Sequence, residues 1–175
     1  GLYAAASSLV RVLIKLAQSY WRALLPTLAR LRDATPASYM QLAAMTRRFA
    51  LLLTLPAAAI GAAVAGGLVT TLFGADYVDA APVLALLVWS APLYAWESGA
   101  ITLLLAERRP RQSLLVALLH LAALVIVLPP LAIAFGPMGA AAANLAAAGL
   151  AAGLGSWYVR ALLSGGELPR LLAGL

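Results

Sequence analysis

The chain has 175 residues, 64% hydrophobic and 10% charged, with a formal net charge of +6 and no cysteine. A soluble domain carries about 45–50% apolar and about 25% charged residues, and a chain of this length leaves roughly 30% of its surface against solvent. Too few polar residues are present to cover that surface, so lipid is the expected solvent on most sides, and disulfides and thiolate metal sites are excluded.

Five apolar runs each reach the roughly 20 residues needed to cross a bilayer. They predict an all-α polytopic transmembrane bundle of about five membrane-spanning helices in one domain, residues 1–175. Helix A covers about 3–29. Arg11, Lys15, Gln18 and Arg22 are spaced by four, three and four along it, so they share one stripe. Such a basic helix either crosses with its stripe against protein or water, or lies on the cytoplasmic surface. Helix B covers about 42–73. Thr35-Pro36 offers a capping hydroxyl and a proline at a first helical position, so B can begin early. Pro56 is expected to bend B mid-span, and Gly74 to close it in the left-handed conformation. Helix C covers about 82–106, with Asp79 as cap, and Pro92 is expected to bend it. Arg108-Arg109-Pro110 separates it from helix D, about 113–135, which Pro129-Pro130 bends or ends. Gly136-Pro137 and Gly139 turn the chain into helix E, about 139–163, whose Gly149-xxx-Gly153 spacing permits close packing.

Positive charge sits in the gaps, which points to a membrane and not to nucleic acid. The A–B region carries Arg30, Arg32, Arg47 and Arg48, the C–D gap Arg108, Arg109 and Arg111, and the C-terminal region Arg160 and Arg170. The B–C gap has Asp76 and Asp79 but no base, and the D–E turn is uncharged. The positive-inside rule places the A–B gap, the C–D gap and the C-terminus in the cytoplasm.

Three motifs occur in order. Gly1-Leu2-Tyr3-Ala4-Ala5-Ala6 opens helix A, Leu72-Phe73-Gly74-Ala75-Asp76-Tyr77-Val78-Asp79-Ala80 closes helix B, and Gly136-Pro137-Met138-Gly139-Ala140-Ala141-Ala142-Ala143 opens helix E. Together with Pro26 and Pro56 they resemble the pattern of bacterial polysaccharide flippases, the oligosaccharide-lipid transporters related to multidrug extruders. The resemblance covers nearly the whole chain. It departs at Ala29, where a small polar residue is expected after the proline. It implies the last five helices of a two-lobe protein in the bacterial inner membrane, with the C-terminus cytoplasmic and helix A crossing. The N-terminal lobe is then a missing partner, so the chain is expected to be a fragment. A polyprenyl-diphosphate-linked sugar is the implied substrate, and membrane lipid surrounds the bundle. The alternatives are a multidrug or small-molecule exporter of the same superfamily and a non-transporting remnant.

Candidate cavity residues are Arg11, Lys15 and Arg22, whose cations suit a diphosphate. Snorkelling to the interface is the bland reading of the same side chains. Glu97 stands in the middle of helix C, where it is expected to stay protonated, to couple to proton movement, or to pair statically with Arg11 or Lys15. His120 is the single histidine, and Asn144 is expected to bond across to another helix. Tyr94 and Trp96 flank Glu97 and either stack on sugars or pack between helices. Pro56 and Pro92 are the hinge candidates. No catalytic residue, metal or cofactor is predicted; an enzyme built on Glu97 and His120 is the rival class and would need more clustered polar residues.

Overall fold

The computed structural model describes residues 2–165. Gly1, which opens the first motif, and Arg170 lie outside the described residues. Among the described residues every element is helical: α1 (Leu2–Ala34), α2 (Pro36–Ala63), α3 (Ala65–Phe73), a 3₁₀ helix (Ala75–Ala80), α4 (Ala81–Leu87), α5 (Ser90–Ala106) and α6 (Pro110–Gly165). The chain is all-α, as the length of its apolar runs predicts.

The interruptions follow local backbone chemistry. Only Thr35 separates α1 from α2. Pro36 occupies the first turn of α2, but the Thr35 hydroxyl makes no capping bond. Predicted helix B divides into α2 and α3 at Val64 (φ −100°, ψ 11°), eight residues beyond Pro56, through which α2 runs unbroken. Gly74 ends α3 with φ 92°, a conformation glycine adopts without steric cost. Asp79 caps nothing; it lies inside the 3₁₀ helix.

Predicted helix C divides at Val88–Trp89 into α4 and α5. Pro92 stands in the first turn of α5 and cannot donate to the Val88 carbonyl. That carbonyl instead accepts a tighter bond from Ala91 N at 3.0 Å, and the Ser90 hydroxyl donates to Leu87 O at 2.7 Å. Predicted helices D and E form α6, whose helical path is broken at Gly136 (φ 59°, ψ −137°) and not at Pro129-Pro130. A Cβ at Gly139 would overlap the Leu131 carbonyl, so glycine is what lets the second arm start there.

α5 is central and packs on α6, α1 and α2. Among the described residues two core clusters form, one around α4 and the other around α5. Val10, Val69, Val83 and Leu87 belong to one; Leu28, Leu104, Val116 and Val159 belong to the other. Two glycines set the closest approaches. A Cβ on Gly99 would come within 2.6 Å of Cζ2 of Trp21, and one on Gly155 within 2.7 Å of Cβ of Ala100. Trp21 is only 1% exposed, so its indole fills the space that Gly99 leaves. The predicted packing motif is displaced: Gly153 has open space above it.

Among the described residues three segments are long and apolar enough to cross a membrane: Pro36–Ala63, Ala75–Ala106 and Pro110–Ala161. The third has 52 residues, about 78 Å at 1.5 Å per residue, with the Gly136 break inside it. α1 is not among the three, because its cationic stripe lowers its hydropathy. Large apolar side chains stand outward on α2 and α6, among them Leu52 at 72% exposure and Ile133 at 86%. Water would oppose that arrangement and lipid accepts it; the chain is a membrane protein.

Candidate functional site

Three of the predicted site residues come together, with Tyr94 between them. Glu97 and Tyr94 lie one turn apart on α5, His120 is on the first arm of α6, and Asn144 is on the second. Glu97 Oε2 lies 2.8 Å from His120 Nδ1, and His120 Nε2 lies 3.2 Å from the Tyr94 hydroxyl. Asn144 Nδ2 donates to that hydroxyl at 3.4 Å. Which helices meet there comes from the turn at Gly136, which folds both arms of α6 against α5.

The cluster sits inside the bundle. The Glu97 side chain is 8% exposed and that of His120 12%. A buried polar group costs free energy unless it is hydrogen-bonded, and here one consistent assignment satisfies the chain. His120 donates from Nδ1 to the Glu97 carboxylate and accepts at Nε2 from the Tyr94 hydroxyl, and the Tyr94 oxygen accepts from Asn144. The Asn144 carbonyl oxygen is buried and has no partner among the described residues.

Arg11, Lys15 and Arg22 are not part of this cluster. All three are exposed on α1, and none forms an ion pair with a carboxylate among the described residues. The Tyr3 phenol stands within electrostatic range of both Arg11 and Tyr94, which puts the N-terminal part of the stripe near the buried cluster. In the sequence Tyr3 is visible only as part of a motif. The hinge candidates are also apart: Pro56 is exposed on an unbroken stretch of α2, while Pro92 adjoins the Val88–Trp89 break.

Trp96 takes a role that periodicity did not indicate. Its indole N–H donates to the Ser156 hydroxyl, which itself donates to Ala152 O at 2.7 Å. The Arg47 guanidinium lies 4.0 Å from the ring centroid, at cation–π distance.

No model of a known protein family matches the chain, and no curated protein or solved structure matches it. Fold and site define a polytopic helical membrane protein with a buried polar cluster between α5 and α6.

Proposed function

We propose that the chain is part of a bacterial inner-membrane transporter that flips a lipid-linked oligosaccharide. The observation that carries this reading is the stripe of Arg11, Lys15 and Arg22, exposed on α1 and unpaired with any carboxylate among the described residues. Lys15 is about 20 Å or more from either end of α1 at 1.5 Å per residue, beyond the reach of a lysine stem. A cation at that depth facing lipid costs roughly 2.5–3.5 kcal/mol on insertion scales. A polar passage completed by the rest of a two-lobe protein removes that cost and presents the cations to a diphosphate.

Two features support transport over a static bundle. The helices break at Val64 and Val88–Trp89, and discontinuous helices are where transporters place their sites. The Glu97–His120 pair is titratable and buried, the usual mark of function inside a membrane. An exporter of organic cations would need an acidic group open to its substrate, and Glu97 is taken up by His120.

Complementation tests the reading. The proposed two-lobe protein carrying this chain is expected to restore surface polysaccharide in a bacterial strain lacking its own flippase. Failure to restore it with any lipid-linked oligosaccharide, at normal membrane abundance, would remove the assignment.

A further inference from the structure

A groove of about 590 Å³ lies between α2, α5 and the second arm of α6. Leu51 and Leu55 form one wall, Pro92 and Leu93 the floor, and Gly149 and Gly153 the other wall. Trp96 and Ser156 close one end, and there the Arg47 guanidinium sits over the Trp96 ring. Arg47 precedes Leu51 by one turn, so the cation continues the apolar wall on the same face of α2. No carboxylate pairs with Arg47 among the described residues, and Arg160 lies within electrostatic range of it. The Arg47 cation at the end of an apolar trough attracts an anion there.

We propose that this groove binds an anionic phospholipid, its acyl chain along Leu51, Leu55 and Leu93 and its phosphate on Arg47. Shape and charge each contribute. Glycines at 149 and 153 leave a trough where larger side chains would fill it; a Cβ added at Gly153 would meet no atom within 4 Å. From Leu145 to Ser156 the trough runs about 16 Å at 1.5 Å per residue, a length suited to the upper part of one extended acyl chain. The guanidinium fork matches a phosphodiester, and Trp96, fixed by Ser156, holds that fork at the mouth. This site does not depend on the transport reading, since neither α1 nor the Glu97 cluster enters it.

The test uses the 175-residue chain reconstituted in phosphatidylcholine vesicles. Phosphatidylglycerol or phosphatidylcholine with brominated acyl chains is titrated in, and tryptophan quenching is read. Trp89 and Trp96 both line the groove; Trp96→Phe and Trp89→Phe identify their share of the signal. The expected result is stronger quenching by brominated phosphatidylglycerol, with a preference that falls about fivefold in Arg47→Gln, as one lost membrane-surface cation implies. Gly153→Leu fills the trough and lowers quenching by both lipids, whereas Gly66→Leu, on the open side of α3, does not. Equal quenching by the two lipids in the unmodified chain would overturn the proposal, as would a preference unchanged in Arg47→Gln. Should Gly153→Leu lose helical content, the Arg47→Gln arm decides alone.

Discussion

Arg32 Nε lies 3.0 Å from Glu107 Oε2, although 75 residues separate the two. A second bond, from Arg108 Nη2 to Asp33 Oδ2 at 2.8 Å, runs beside it. The α1–α2 junction and the α5–α6 junction therefore meet at one end of the bundle. Charge counting assigned both junctions to the same side, and the ion pairs give that side a structural basis that owes nothing to the charge rule.

Topology follows. With the Arg32–Glu107 end in the cytoplasm, the segment around Asp76 and Asp79 faces outward. Cysteines placed at Ala75 and Gln112 report this with an impermeant thiol reagent on intact cells. Labelling at position 75 and not at 112 is expected; the reverse pattern would invert the orientation.

Close packing gives a second expectation. Gly155→Ala pushes a methyl into Ala100 and should cost about 1–3 kcal/mol, the usual range for overpacking. Gly153→Ala meets nothing and should leave stability unchanged or raise it by up to about 1 kcal/mol through helix propensity. Thermal unfolding in detergent separates the two, and equal melting points would refute the Gly155–Ala100 contact.

Gly99 and Trp21 supply a third. Gly99→Ala should lower stability by about 1–3 kcal/mol, and Trp21→Phe should lower it too. Because the smaller ring gives room to the new methyl, the double variant should lose less than the sum, with a coupling of about 0.5–3 kcal/mol. Additive melting-temperature losses would mean the two residues do not share one space.

The buried cluster gives a fourth. His120→Ala leaves the Glu97 carboxylate without its partner and the Tyr94 hydroxyl with Asn144 alone, and should cost about 1–3 kcal/mol. Combining it with Glu97→Ala should cost less than the two single losses together. Strict additivity in the same unfolding measurement would place the pair outside one network.

How much of the fold and site was legible in the sequence depends on the kind of signal. Lipid as solvent and the all-α class came from composition, which packing does not disguise. Gly74 and Gly136-Pro137 were readable as chain reversals because a positive φ favours glycine. The breaks at Val64 and Val88–Trp89 went unread, since valine and tryptophan are ordinary helix residues and Pro92 acts on the turn before it. Glu97, His120 and Asn144 were each visible as polar residues in apolar runs. Their meeting was not, because helical periodicity assigns faces and not partners. The packing glycine was misplaced by two positions: Gly149-xxx-Gly153 has the familiar spacing, but the contact with Ala100 is made by Gly155. Glu107 and Asp33 went unnoticed beside the arginines they bind.

If the α1 cations serve an anionic substrate, one measurement reaches that claim most directly. Arg11→Ala and Lys15→Ala are combined in the proposed two-lobe protein and expressed in a strain lacking its own flippase, with surface polysaccharide and membrane abundance read together. The predicted result is normal abundance with export reduced at least about a hundredfold, in line with losing two cation contacts of about 1.5–3 kcal/mol each. Export equal to that of the unmodified protein at equal abundance would contradict it and leave the stripe without a part in transport.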